Sequence, residues 1–288
     1  MKTRHLFFVI TVLFLQIRAF PQQREVLPVR LEPISPTLYQ VLEGRGARGG
    51  VCIGDNAVLV IDAKMDETSV AAVLEGIKRI TDKPIRFLVN THSDGDHVNG
   101  NRFFPVSILI VAHENCRKEM LLPKRDGTPS DWIAPEFAPF LPAITFRDRM
   151  DLRLGLREVQ LWYFGVGHTT GDVVVYFPDE KTAFVGDQVF SGRPQLIHSY
   201  KGGDSFEHVK TLERMLETLD AEKYCTGHSD ILDRAAIRKH IDGMKTLQET
   251  VLSMKTQGKT LDEIKAAFTA EKAALVETIV GELERPFR

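Results

Sequence analysis

One short segment limits what this chain can fold into more than any other, namely Asn90-Thr-His-Ser-Asp-Gly-Asp-His-Val-Asn-Gly-Asn101. It follows directly on the apolar run Ile85-Arg-Phe-Leu-Val89, which predicts a buried strand. Imidazole and carboxylate groups suit zinc, iron and manganese, and Gly95 permits a tight path that turns such side chains inward. The segment therefore predicts a metal site at the end of this strand, with four candidate ligands: His92, Asp94, Asp96 and His97.

Two other interpretations of this segment have to be weighed. The letters Ser-Asp-Gly-Asp would also suit an ordinary polar turn. A calcium loop of the EF-hand type needs an acidic residue at its twelfth position, and counting from Asp94 places Pro105 there. Calcium is therefore set aside, and the choice between a turn and a metal site depends on the rest of the chain.

Further along the chain, other predicted strand ends each carry one residue that can bind a metal. His168 lies in the glycine-flanked turn 166–171, just before a predicted strand. Asp187 ends the apolar run Phe184-Val-Gly-Asp, and His228 ends Cys225-Thr-Gly-His. A single His beside Gly is more often a turn residue than a ligand. Several ligand-bearing segments in one chain favour a metal site assembled from separate parts of the sequence.

The apolar periodicity predicts an α/β fold. Short β-rich runs and amphipathic helical patterns alternate in two similar halves, which indicates two packed sheets with helices on the outside. Capping boxes are expected at Asp204/Glu207 and Thr260/Glu263. The predicted strands span 38–42, 50–53, 57–61, 85–89, 159–164, 172–177 and 182–185, and the predicted helices span 69–80, about 204–219, 232–254 and 260–284.

The order of four motifs, Thr-His-x-x-x-Asp-His, Gly-His-Thr, Gly-Asp and Gly-His, resembles the metallo-β-lactamase superfamily. Within it, the chain is most similar to the branch that contains glyoxalase II and related hydrolases. The resemblance runs from about Leu38 to His228. It implies a four-layer αββα sandwich, with residues 28–288 forming a single domain that ends in C-terminal helices.

The resemblance also implies a zinc-dependent hydrolase with two adjacent metal ions. The family pattern assigns His92, the residue at position 94 and His168 to the first ion. A metal-bridging hydroxide, oriented by Asp96 as the catalytic residue, would attack an ester, thioester, lactone or amide carbonyl of a small molecule. The second ion would be held by Asp96, His97 and His228, with Asp187 bridging both ions.

Asp94 departs from the family pattern, which has His at this position. A carboxylate there hardens the first site and moves its preference toward iron or manganese, as in the di-iron domain of flavodiiron proteins, which carry Glu. Alternatively, Asp94 points away and the enzyme uses one metal. Two further functions therefore stay open: an iron-dependent redox enzyme acting on persulfides or oxygen, and a non-catalytic metal-binding module. Asp187 replaces the Cys ligand of some zinc β-lactamases, which disfavours β-lactam hydrolysis as the main role.

Weaker predictions concern residues around the metals. His198 is expected at the rim of the site, in contact with substrate or as a plain loop residue. Arg48, in the Gly-rich segment 43–50, could hold a substrate carboxylate or lie on a surface hairpin. The segment 123–142 carries aromatic and proline residues, and it is expected either to form a substrate wall or lid or to cover the core.

The first 19 residues resemble a secretory signal peptide, with Lys2 and Arg4 before a short apolar run. We therefore expect a secreted or periplasmic protein that has no membrane association after cleavage. The formal net charge of −2 and the lack of a basic block argue against nucleic acid as a partner. The odd set Cys52, Cys116 and Cys225 predicts no disulfide framework.

Overall fold

The computed structural model describes residues 26–285, so the predicted signal peptide lies outside the described residues. Two sheets make up the centre of the fold. The first contains β1 (Arg30–Pro33), β2 (Leu38–Leu42), β3 (Gly49–Ile53), β4 (Val58–Ile61), β5 (Ile85–Val89), β6 (Leu109–His113) and β7 (Ile144–Phe146) in that order. The second has the order β12-β11-β10-β9-β8 and contains β8 (Arg149–Leu154), β9 (Arg157–Trp162), β10 (Val174–Phe177), β11 (Thr182–Gly186) and β12 (Lys223–Thr226).

Seven α-helices are found among the described residues. One long helix, α5, packs beside α4 and α7 and covers the outer face of the second sheet. None of the helices within residues 26–285 combines the length and the apolar character that crossing a bilayer requires. The helices are α1 (Glu67–Ile80), α2 (Gly95–Val98), α3 (Glu114–Met120), α4 (Ser205–Thr218), α5 (Arg234–Thr256), α6 (Leu261–Ala266) and α7 (Ala273–Leu283).

The layers follow from the two faces of the buried strands. Strand β4 is apolar throughout, and successive side chains point to opposite sides of a sheet. Leu59 and Ile61 belong to the core between the two sheets, whereas Val58 and Val60 pack in a separate cluster with helix α1. A strand buried on both faces needs a layer on each side, and so the predicted αββα sandwich is confirmed.

Strand direction decides where the polar loops meet. Strands β4 to β7 run parallel, and so do β11 and β12, whereas the remaining pairs are antiparallel. The carboxyl ends of parallel neighbours lie at the same edge of a sheet, so the loops after β4 and β5 start side by side. The loops after β11 and β12 do the same, and Gly227 N–H donates to Gly186 O across them. One edge of the sandwich therefore collects the ligand-bearing segments.

One predicted element is wrong. The sequence pattern predicts a single helix over 260–284, but the structure divides this stretch into α6 and α7, joined by a 3-10 turn at Ala270–Lys272. Thr269 is extended (φ −65°, ψ 150°) and interrupts the helix. The break lets Phe268 pack against the same core that buries Ile264 and Ile279. Tertiary packing thus overrides local helical periodicity here. The Thr260/Glu263 capping box is present as predicted. The predicted Asp204/Glu207 box is wrong: Asp204 accepts from Phe206 N–H and Glu207 N–H, but its own N–H donates to Gly167 O rather than to Glu207.

Candidate metal centre

The structure brings all seven predicted ligands together at one edge of the sandwich. They form two adjacent groups, and within each group the donor atoms lie within 4.8 Å of one another. Asp187 stands between the groups: its Oδ2 lies 3.2 Å from His228 Nε2 and 3.9 Å from His92 Nε2. The first group is His92, Asp94, His168 and Asp187, and the second group is Asp96, His97 and His228.

Local backbone geometry explains how side chains so far apart in sequence approach each other. Strand β5 ends at Val89, and the short helix α2 begins at Gly95, so the loop between them carries ligands past the sheet edge. Gly227 lets β12 approach this loop closely. A Cβ at Gly227 would lie 2.2 Å from Asp187 Oδ1 and 2.8 Å from His97 Cε1, which only glycine avoids.

Several buried atoms of the centre have no hydrogen-bond partner among the described residues. They are His92 Nε2, His97 Nε2 and Asp187 Oδ1. His92 and His97 are at most 1% exposed, so solvent does not reach their rings. Leaving a buried polar atom without a hydrogen bond is costly, and such atoms usually bind a water or an ion or have a functional role. Imidazole nitrogens and a carboxylate oxygen that converge in this way fit one or two divalent cations.

The rings of two ligands, His97 and His168, are oriented by hydrogen bonds on the side away from the centre. His97 Nδ1–H donates to Asp62 Oδ2 at 2.8 Å, and His168 Nδ1–H donates to Leu196 O at 2.8 Å. These bonds leave Nε2 of each ring directed at the centre, which is the arrangement of ligating histidines. Asp62 is itself fixed, because it accepts hydrogen bonds from Thr91 N–H and Thr91 Oγ1–H at 2.8 and 2.9 Å.

Electrostatics in the centre is dominated by carboxylates. Burial acts to raise the pKa of Asp187, but the neighbouring His97 and His228 lower it well below its usual value. Burial acts to lower the pKa of His168, yet Asp94 raises it to about 9. The pKa of His228 is raised to about 8 by Asp187 and Asp96 against the effect of burial. The carboxylates thus stabilise positive charge in this pocket, as a cation site must.

The weaker predicted residues lie at the periphery. His198 Nε2 is 2.8 Å from Asp94 Oδ2, so His198 directly adjoins the first group. Arg48 is turned elsewhere: its guanidinium donates to Ser229 O and lies 2.8 Å from Asp230 Oδ1. This contact ties the Gly-rich hairpin to the loop that carries His228. Cys225 is buried in the core between the sheets.

A cavity of about 430 Å³ lies beside the first group. Ser93 and Gly95, which flank Asp94, form its floor, and Trp132 from the predicted wall segment lines another side. Phe140 of that segment packs instead against the core around α1. Tyr200 and Lys201 close the cavity near the centre. Lys201, which lines this cavity, contacts Asp94, so a small molecule here would lie beside the first group.

Sequence reasoning missed two residues of the centre. Asp62 ends a predicted strand, but nothing in its spacing marks it as a partner of His97. Lys201 follows His198 closely, yet a lysine next to tyrosine in a polar loop carries no metal-site pattern. Both would have required knowledge of the tertiary contacts.

The fold and the centre together define a class: αββα proteins whose loops at one sheet edge build a His/Asp metal centre. The sequence model of the Metallo-beta-lactamase superfamily matches residues 51–228, and the chain belongs to that superfamily. Among solved structures, DIM-1 metallo-beta-lactamase superposes with a TM-score of 0.64 and 20% identity, over 77% of this chain and 99% of that protein.

Characterised relatives differ in how much of each chain they share. A metallo-beta-lactamase type 2 from Elizabethkingia meningoseptica is 23% identical over 81% of this chain and 91% of its own length. A hydroxyacylglutathione hydrolase from Brucella anthropi is 29% identical over 49% of this chain and 50% of its own. The alpha subunit of a 2,4-dinitroanisole O-demethylase from Nocardioides is 26% identical, and the match spans only 46% of that protein.

Proposed function

We propose that the chain is an exported zinc-dependent hydrolase that uses two metal ions to cleave an ester, thioester, lactone or amide bond of a small molecule. The observation that carries this proposal is the convergence of seven His and Asp side chains around buried donor atoms without hydrogen bonds. Membership of the superfamily and the hydrolases among its relatives support the same activity.

In this proposal the two ligand groups each hold one ion, and Asp187 lies between them. Bound metal ions would supply an activated water nucleophile near neutral pH and would polarise the carbonyl under attack. Asp96 is suited to orient that water, because its carboxylate is 30% exposed and is itself held by His228, whose Nε2 lies 3.0 Å away. The rigid backing of His97 by Asp62 keeps the second group in place during the reaction.

We place the substrate in the cavity beside Ser93 and Gly95. Its volume of about 430 Å³ suits a small molecule rather than a polymer. Trp132 and Tyr200 offer apolar surface to the body of the substrate, while the scissile carbonyl reaches the ligand groups. We propose no nucleic-acid partner, since the chain has a formal net charge of −2.

Export is proposed from the sequence of residues 1–19. Expression of the full chain in a bacterial host, followed by N-terminal sequencing of the periplasmic product, should give a start near Phe20. Retention of Met1 in a cytoplasmic product would contradict export without affecting the proposed chemistry.

A second function is favoured by one observation, the carboxylate at Asp94 in the first group. Carboxylate ligands suit iron and manganese better than a third imidazole would. The alternative is therefore an iron-dependent redox enzyme that acts on persulfides or oxygen.

Elemental analysis of the purified mature chain separates these functions. The hydrolase proposal expects close to two zinc ions per chain and hydrolysis of at least one compound in a panel of esters, thioesters and lactones. Chelation should abolish the hydrolysis, and added zinc should restore it. Predominant iron without hydrolysis would favour the redox function, and a chain that takes up no metal would overturn both.

A further inference from the structure

Lys201 is a buried cation beside the first ligand group. It ends the 3-10 turn Ser199–Lys201, and only 11% of its side chain is exposed. Its Nζ lies 2.6 Å from Asp94 Oδ1 and 2.9 Å from Ser93 Oγ. The ammonium group is therefore held against the one ligand that departs from the superfamily pattern.

Protein donors surround both oxygens of Asp94. Oδ1 accepts from Lys201, and Oδ2 lies 3.0 Å from His168 Nε2 and 2.8 Å from His198 Nε2. A metal ion that used Asp94 as a ligand, together with the nearby His168 Nε2, would have to share the carboxylate with Lys201 and His198. It would also have to stay close to the charge of Lys201, which repels a divalent cation.

The other carboxylates of the centre lack such a partner. Within residues 26–285, no Lys or Arg lies within ion-pair distance of Asp96 or Asp187, whose charged contacts are all to histidines. Asp96 of the second group and Asp187 between the groups thus have no Lys or Arg ion pair, whereas the charge of Asp94 is already balanced by Lys201.

Lys201 is fixed by a chain of hydrogen bonds that leads away from the centre. Ser93 Oγ–H donates to Glu119 Oε2 at 2.5 Å, so the Ser93 oxygen is oriented to accept from Lys201. Glu119 is buried and also accepts from Thr170 N–H at 2.9 Å. Ser93 lies in the loop after β5, Glu119 lies in α3, and Lys201 lies in a 3-10 turn. Contacts among these three elements therefore fix the position of Lys201.

We propose that Lys201 acts as a resident counter-ion for Asp94 and makes the two metal positions unequal. The second group, with Asp187, binds its ion first and tightly. The first group binds only when Lys201 yields its ion pair, at a higher metal concentration. The inference rests on the proposed function, because it assumes that both groups bind metal, and it predicts which position is lost first when metal is scarce.

The inference is tested by titrating the metal-free full chain with zinc. Calorimetry and competition with a chromogenic chelator measure the binding. Wild type should bind one tight equivalent and a second that is roughly 10–100-fold weaker, the range that groups behind metal ligands typically control. K201M should tighten the second equivalent about 10-fold or more, whereas K201R, which keeps the charge, should leave it weak. K201Q provides a second neutral variant if K201M does not fold.

A matched control is K124M, which removes a cation from the wall of the same cavity that is paired with Asp131 rather than with a ligand. It should leave both binding steps unchanged. If Lys201 merely positions Asp94 for metal, K201M will weaken the second step, and the inference fails.

Two equally tight equivalents in wild type would also overturn the inference and leave the proposed hydrolase standing. Absence of any zinc binding would overturn both proposals. The titration therefore shows whether only the inference fails or the proposed function fails as well.

Discussion

The metal centre and a cluster formed by Ser205, Gln248 and Glu282 both bury polar side chains. They differ in whether the buried polar atoms have hydrogen-bond partners. In the cluster, Glu282 of α7 accepts from Ser205 N–H at 2.9 Å and from Ser205 Oγ–H, while Gln248 of α5 donates to Ser205 O at 2.8 Å. In the centre, His92 Nε2 and other buried atoms have no hydrogen bond among the described residues.

This difference in hydrogen bonding indicates different roles for the metal centre and the cluster. Ser205 is the first residue of α4, where backbone N–H groups have no partner within the helix. Glu282 supplies that partner, so the cluster joins three helices. The centre instead leaves its donors free for a ligand. We therefore expect substitutions in the centre to affect function and substitutions in the cluster to affect stability.

The largest expected effect comes from removing Asp187. D187A deletes the carboxylate between the two groups, and hydrolysis should fall by about 1,000-fold or more, since metal ions contribute several kcal/mol to such reactions. Without metal, D187A should also lower the free energy of unfolding, because the removed carboxylate interacts favourably with His97 and His228. Steady-state kinetics, metal content and urea unfolding measure the three quantities.

D220A is the matched control, because it removes an exposed carboxylate that pairs with Lys181 in the loop between α4 and β12 and belongs to neither ligand group. It should keep metal and activity. A D187A protein that keeps its metal and its activity and only unfolds more easily would break the comparison, since the centre would then be a structural cluster.

A smaller effect is expected from Asp62, which contacts metal only through His97. D62N removes the charge behind the ring and should weaken zinc binding by roughly 10–100-fold. Asp62 has a left-handed backbone (φ 59°), which Asn tolerates better than most residues, so the fold should persist. Zinc titration measures the change, and D66N, which alters the N-cap of α1, should show none. Unchanged affinity in D62N would mean that Asp62 only shapes the loop.

The ligands could be predicted from the sequence because each stands in a local pattern. Apolar strands that end in Gly-Asp or Gly-His expose such residues at a sheet edge, and the loop from Thr91 to His97 contains four of the seven ligands. The layers were equally predictable, since runs such as Val58–Ile61 are apolar on both faces and must be covered on both sides.

The supporting residues could not be predicted, because their roles depend on long-range contacts. Asp62 meets His97 across 35 residues through the pairing of β4 with β5, and Lys201 meets Asp94 across 107. No local pattern records either contact. The split between α6 and α7 was missed for the same reason, since burial of Phe268 decides it.

Substitutions in the cluster of Ser205, Gln248 and Glu282 should lower stability without lowering activity. E282A removes the acceptor of Ser205 N–H and leaves a buried donor unpaired, which should lower the free energy of unfolding by about 1–3 kcal/mol. Urea unfolding of the metal-free protein gives this value. Zinc affinity should not change. A weakened zinc titration in E282A would show that the two regions are coupled.

The smallest expected effect is the pH dependence of this cluster. Burial raises the pKa of Glu282 to about 7, although the hydrogen bonds from Ser205 partly oppose the shift. The folded protein therefore holds a proton that the unfolded chain has released, and this stabilisation is present below about pH 4.5 and is lost as the pH rises through 7. E282Q keeps an acceptor for Ser205 N–H but cannot ionise.

The stability of wild type relative to E282Q should therefore fall between pH 5 and 8, with a slope of at most about 1.4 kcal/mol per pH unit for one proton. Urea unfolding of both metal-free proteins across this range isolates Glu282, because every other titrating group is shared. A pH-independent difference would mean that Glu282 is ionised throughout and that the helix end binds it as an anion.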